Sequence, residues 1–188
     1  MRTPIVAFLA TAALACEAPP PPPEAAAGPP YVPIVSIEEV MRYMIDPSAD
    51  ALWESVVTEV TESGVHEVKP ESDEDWERLR GEAVTLTEAT NLLLMENRRV
   101  AAEGSVSELP GVDLEPEQIE ALLAENRDAW TQFVLGLQAS GLTILEAIEA
   151  QDVDALLVAG DGLDLACENC HQRFWYPDLG PQSSTATN

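Results

Sequence analysis

Five consecutive residues near the C-terminus, Cys167-Glu168-Asn169-Cys170-His171, place two thiols and an imidazole at the spacing of covalent c-type haem attachment. Cysteines three apart on a helix face one way, so both thiols can add to two vinyl groups along one side of a porphyrin. The histidine after the second cysteine is then carried under the iron, where an imidazole nitrogen can ligate it. Three other chemistries use parts of this pattern. A thioredoxin-like dithiol uses C-x-x-C but expects a βαβ setting, which the sequence lacks. A structural zinc site needs four ligands, and beyond Cys167, Cys170 and His171 the one obvious candidate is His66. Helical cysteines at i and i+3 bridge poorly, which disfavours an incidental disulfide. The expected cofactor is one covalently attached haem c with its iron.

The N-terminus reads as address and tether. Residues 1–15 carry Arg2 and then the apolar stretch Ile5 to Ala15, too short to span a bilayer and suited to a secretory signal peptide. Ala13-Leu14-Ala15 before Cys16 fits ordinary signal peptidase and also looks like a bacterial lipobox, which makes Cys16 the expected site of lipid attachment. The competing expectation is a soluble periplasmic protein in which Cys16 is incidental. Acyl chains on Cys16 would anchor the protein, since two or more exceed the marginal hold of one. Residues 16–33 follow as a linker, and Glu17 to Pro33 holds eight of the fifteen prolines. Extended polyproline II, at about 3.1 Å per residue, would give a semi-rigid stalk of up to roughly 50 Å. Export to the bacterial periplasm matches covalent haem attachment, which belongs to that side of the membrane.

With 188 residues the chain has room for one ordinary domain. It carries 34 acidic residues against 9 basic ones, a net charge of -25, and its one lysine is Lys69. Such a surface repels phosphate and excludes nucleic acid as a partner. A hydrophobic fraction of 46% argues against disorder in the bulk of the chain. The acidity fits a strongly solvated surface in a salty medium, or steering toward a basic partner.

Between Ile34 and Asp178 the apolar repeat is helical and no alternating strand pattern stands out. Ser36 with Glu39 three residues on predicts a capping box. Behind it Ile37, Val40, Met41, Met44 and Ile45 share one face. A kink or short break is expected at Pro47, after which Leu52, Trp53, Val56, Val57 and Val60 continue the helix to Gly64. Ser72 is expected to cap a second helix through Trp76, Leu79, Ala83, Leu86, Leu93 and Leu94, fraying before Gly104, with a turn at Pro110-Gly111. Pro116 starts a third helix running through Ile119, Trp130 and Ile148. Gly136 and Gly141 within it suggest close packing against a neighbour or a bulky ligand. Asp152 caps a fourth helix through Leu156, Leu163, Cys167, Cys170 and Phe174, stopped by Pro177. The expected fold class is all-α: an up-down-up-down four-helix bundle over 34–178, with haem on the C-terminal helix and a disordered tail at 179–188.

A C-terminal C-x-x-C-H on the last helix of such a bundle resembles the class II c-type cytochromes, the cytochrome c prime type. Ser36-Ile37-Glu38-Glu39-Val40-Met41 and Asp46-Pro47-Ser48-Ala49-Asp50-Ala51-Leu52-Trp53 resemble the first helix of a periplasmic branch of that superfamily. Asp75-Trp76 through Asn91-Leu92-Leu93-Leu94 resembles its second helix, and Phe174-Trp175-Tyr176-Pro177 its end. The likeness covers residues 34–178, with the haem motif as its one sharply specific part. It implies a haem near one end of the bundle whose distal face meets the first helix. A methionine there gives six-coordinate, low-spin iron suited to electron transfer. An apolar non-ligand leaves five-coordinate iron that binds NO or CO.

His171 is thus the expected proximal ligand and Met41 the expected distal one, because Met41 follows Ile37-Glu38-Glu39-Val40 as the family's ligand region does. Met44, one turn on along the same face, is the second choice, and either methionine also fits a core role. Met95 and His66 are weaker candidates. The four tryptophans are expected to anchor the core and the haem. Arg42 and Arg173 are expected to be solvated or helix-paired rather than bound to a propionate. Glu168 and Asn169 are expected to face solvent. No catalytic dyad is apparent, so the leading expectation is an electron carrier rather than an enzyme. Its expected partners are envelope redox proteins and, through Cys16, the membrane; the likeness also admits a homodimer. The alternatives are a haem protein that binds or senses NO or CO, and a non-haem lipoprotein adaptor.

Overall fold

The computed structural model describes residues 31–177. The expected signal peptide at 1–15, the expected lipid site Cys16, most of the proline-rich segment and the expected disordered tail at 179–188 lie outside the described residues. The described chain is mostly helical, with one small two-stranded sheet. Ser36 caps the first helix as expected: its hydroxyl accepts from the Glu39 amide, and the Glu39 carboxylate accepts from the Ser36 amide at 2.9 Å. The helix runs as α1 (Ile37–Val40), a π-helical turn (Met41–Ile45) and α2 (Asp46–Trp53). No break occurs at Pro47. The proline has no amide to continue the ladder, and the wider turn just before it, closed by the Asp46 amide on the Met41 carbonyl, carries the helix past it.

Beyond Trp53 the expected helix gives way to a hairpin, β1 (Val57–Thr61) and β2 (Gly64–Val68), paired antiparallel with Val57 opposite Val68 and Thr61 opposite Gly64. The chain is therefore not purely α-helical. Alternating valines and threonines favour extended backbone. Gly64 turns the chain at φ +136°, a conformation that other residues rarely adopt. Every residue of the ribbon is exposed, which is why its valines read as a continuing helical stripe but have no core to face.

Helix α3 (Asp73–Leu93) starts at a second capping box, Ser72 with Asp75, and stops at Leu93, well before Gly104. Leu79, Leu86 and Leu93, seven apart, are all buried. The turn at Pro110-Gly111 is present, with Gly111 at φ +86° and the Val112 amide on the Leu109 carbonyl at 2.9 Å. The expected third helix is two, α4 (Pro116–Glu125) and α5 (Arg127–Glu149). Asn126 divides them at φ -126°, ψ 39°. Its side-chain amide donates to the Leu122 carbonyl at 2.8 Å, competing locally with the backbone ladder. Asp152 caps α6 (Val153–Phe174) as expected, by accepting from the Ala155 amide at 3.0 Å.

The long helices lie side by side with alternating directions. Trp130 near the start of α5 bonds the Leu93 carbonyl at the end of α3, and Gln151 just after α5 bonds Asp73 at the start of α3. Trp53 at the end of α2 donates to the Gly160 carbonyl in α6 at 3.0 Å. The apolar stripes of α1, α2, α3, α5 and α6 meet in one core.

Gly141 is a point of close packing, as expected. A Cβ there would lie 2.3 Å from Thr87 Oγ1 and 3.2 Å from Thr87 Cβ, across the α3–α5 contact. Gly136 is not, because nothing lies within 4 Å of its would-be Cβ. Gly141→Ala is expected to destabilise the protein by about 1–3 kcal/mol, since overpacking outweighs the gain in helix propensity. Thermal unfolding checks this, and a second change, Thr87→Ala, should restore most of the loss.

Candidate cofactor site

Leu156, Ala159, Leu163, Cys167, Cys170 and Phe174 form the inward stripe of α6 at three- and four-residue steps. The two cysteines therefore point to the interior because they occupy core positions of an amphipathic helix, and both are free thiols. Where the stripe reaches them the interior opens. A cavity of about 450 Å³ is lined by Cys167, Cys170 and His171 on one side and by Met41, Ala49 and Trp53 of the first helix on another. Trp130 and Phe133 of α5 close the back, and the segment after α3, through Val106 and Glu108, forms a further wall.

Met41 lines this cavity, whereas Met44 packs against the core without reaching the cavity wall. In an α-helix residues three apart nearly share a face, but the π-helical turn spreads them apart, so the two methionines part company. Met95 lies beyond α3, where its sulfur accepts from Arg98. His66 sits on the exposed strand β2 opposite Glu59, away from the cavity wall, which takes the fourth ligand from a zinc site. Among the described residues no cluster of three or more His, Cys, Asp and Glu side chains is arranged to hold a metal ion.

The His171 ring stands edge to face with Trp175, centroids 5.0 Å apart, and makes no side-chain hydrogen bond to any described residue. Burial pushes its pKa below the ordinary imidazole value, against the opposing pull of Glu168 and Asp46. Burial thus favours the neutral imidazole, the form a metal ligand must have. Glu168 is not simply solvated as expected. It accepts from Tyr176 Oη and Gln172 Nε2, both at 2.7 Å, and these bonds lower its pKa. The Trp175 and Tyr176 amides both donate to the His171 carbonyl, at 2.8 and 3.1 Å, and tie off the end of α6. Asn169 is exposed.

Arg42 is the sole lysine or arginine among the residues lining the cavity, and it pairs with Glu38 and Glu108, which joins the first helix to the segment after α3. Arg173 instead donates to Asn126 Oδ1 at 2.9 Å and lies over the Phe174 ring. Sequence reasoning missed Asp46 and Glu108 at the cavity. Of the tryptophans, Trp76 and Trp130 are core residues and Trp53 is half-buried, but Trp175 is 38% exposed and covers His171 from outside.

Burial is the main cause that pushes the thiol pKa values up, to about 11 for Cys167 and about 12 for Cys170. At neutral pH the thiolate fraction should fall about a hundredfold for Cys167 and about a thousandfold for Cys170 below that of an exposed cysteine. Thiol titration should accordingly be slow in the native chain while both thiols are free, and fast once guanidinium unfolds it. Equal rates in both conditions would show that the thiols are accessible and ordinary.

No protein-family model matches this chain, and no curated protein or solved structure matches it significantly. The site must be judged on its own donors. Two neighbouring thiols on one helix face, an imidazole with no side-chain hydrogen bond among the described residues and a thioether on the first helix line one largely apolar space. That donor set fits a c-type haem.

Proposed function

We propose that the chain is an exported c-type cytochrome whose helices form an up-down-up-down four-helix bundle around one haem held by Cys167 and Cys170. The observation that carries this reading is the shared cavity of Cys167, Cys170, His171 and Met41. When bound, the haem supplies a one-electron ferric–ferrous couple. The chain's own residues do the rest. The thiols would hold the ring by two thioether bonds, and His171 and Met41 would offer an imidazole and a thioether to its iron. Trp53, Trp130, Phe133 and Phe174 exclude water and keep the local dielectric low. The function is single-electron transfer between redox proteins of the bacterial envelope, with no substrate turnover. Cys16 anchors the chain to the membrane as a lipoprotein, through residues 17–33. Among the described residues no helix is long and apolar enough to cross a membrane.

A second reading rests on Met41 as well. Its side chain also packs against the core, and a methionine that stays there leaves the sixth position open to NO or CO. Optical spectra of oxidised and reduced protein, with and without CO, separate the two. A carrier is expected to be low-spin in both states and slow to bind CO. A high-spin ferrous spectrum with ready CO binding would replace the carrier reading by the gas-binding one.

A further inference from the structure

The end of α6 folds back over His171. The Trp175 and Tyr176 amides converge on the His171 carbonyl, and the Trp175 carbonyl accepts from the Leu114 amide at 2.9 Å, so the turn is fastened to the segment before α4 as well. The turn lays two rings against the imidazole, Trp175 with centroids 5.0 Å apart and Tyr176 with centroids 6.1 Å apart. It also carries the Tyr176 hydroxyl back to Glu168, three residues before His171 and its neighbour on the surface of α6.

Glu168 is a half-buried carboxylate with both oxygens taken. Tyr176 Oη donates to Oε2 and Gln172 Nε2 to Oε1, each at 2.7 Å. Both donors are neutral, and among the described residues no lysine, arginine or histidine forms an ion pair with Glu168. Its charge is therefore fixed in place and uncompensated, beside a ring that feels its pull. Asp46 of the first helix is the other carboxylate whose charge reaches the ring, and the Tyr176 bond goes to Glu168. Closing the helix does not require that bond, because the two amides on the His171 carbonyl already do so.

We propose that Glu168 and Tyr176 are positioning residues for the proximal ligand, which together hold a fixed negative charge beside His171 and so keep the reduction potential of the iron low. The proposal rests on the haem reading above, and it stands whether or not Met41 takes the sixth position. Metal-bound histidines depend on neighbours of this kind for ring orientation and basicity. A negative charge near the iron stabilises the ferric state over the ferrous one, which lowers the potential.

The test is spectroelectrochemical titration of the mature holoprotein, on preparations whose intact mass includes one haem. Glu168→Gln keeps the shape and an acceptor for Tyr176 but removes the charge. It is expected to shift the ferric–ferrous equilibrium about tenfold toward ferrous iron, a rise of about 59 mV for one electron. Tyr176→Phe keeps the ring and releases the carboxylate toward solvent, so it should shift the equilibrium about threefold the same way. Glu168→Asp, which keeps the charge on a shorter arm, should also hold the shift to about threefold. Glu77→Gln removes an exposed charge from α3 and should leave the potential unchanged. Amide exchange supplies a readout that needs no haem: the Trp175 amide should exchange about tenfold faster in Tyr176→Phe than in the parent. A haem-loaded protein whose potential ignores Glu168→Gln overturns the proposal and leaves the cytochrome reading standing. A potential that moves with Tyr176→Phe alone overturns it too, since the turn then acts through packing rather than charge. Unchanged Trp175 exchange would show that the bond does not hold the turn, with the same consequence. A mature chain without covalent haem overturns the cytochrome reading itself, and the claim on the potential falls with it.

Discussion

The double change Cys167→Ala/Cys170→Ala is expected to reduce covalently bound haem to nothing measurable in a host that matures c-type cytochromes. Both thiols lie on the inward stripe of α6 and line the one cavity that His171 and Met41 share. Either alone would leave one thioether bond, so the single variants should retain haem in lower yield. Cys→Ala removes little volume, and the helix around it is held by Leu156, Leu163 and Phe174, which are all buried. The loss of stability should therefore stay near 1 kcal/mol, small enough that circular dichroism still shows a folded helical protein. His171→Ala should act differently. The thioether bonds could still form, but the proximal nitrogen is gone, and yield should fall on the order of tenfold with an altered spectrum in what remains. Normal covalent haem in the double variant would sink the attachment reading outright.

The second large effect concerns the sixth ligand. Met41→Ala is expected to convert a low-spin protein into a high-spin one and to speed CO binding to the reduced form at least about tenfold, because a vacated coordination site no longer has to lose its thioether first. Met44→Ala should leave the spectrum unchanged. The π-helical turn underlies the difference, as it leaves Met41 in the cavity wall and Met44 outside it. Met44 still packs on the core, so its loss should lower the melting temperature without touching the iron. A spectrum that changes with Met44→Ala and ignores Met41→Ala would mean that the holoprotein abandons this turn.

The parts of the fold that the sequence made legible are those where local chemistry and burial agree. Ser36, Ser72 and Asp152 cap helices because their side chains meet free amides, and Leu79, Leu86 and Leu93 face inward because their period matches the helix. The failures came where one signal stood without the other. Val57 and Val60 carry a helix-like spacing but no burial, and their β-branched neighbours with Gly64 form a ribbon instead. Asn126 ends α4 through a side-chain bond that hydrophobic periodicity does not register. Pro47 suggested a break, and a π-helical turn five residues long took its place.

At the site, Cys167, Cys170 and His171 were readable because five adjacent residues carry their own geometry. Met41 was preferred to Met44 on the resemblance alone, because which of them lines the cavity depends on how tightly one turn is wound. The pairs Arg42–Glu108 and Tyr176–Glu168 were invisible for a related reason. The first joins residues that only folding brings together, and the second needs the chain to turn back at Trp175.

The most direct test of the central claim is the intact mass of the mature wild-type protein, isolated from the periplasmic fraction or membranes of a host that matures c-type cytochromes and measured under denaturing conditions. Thioether bonds survive denaturation, so the expected mass is that of the processed chain, with any acyl groups on Cys16, plus one haem. A mass lacking the haem, from cells that load a second c-type cytochrome made alongside, would contradict the account and leave a non-haem adaptor bundle in its place.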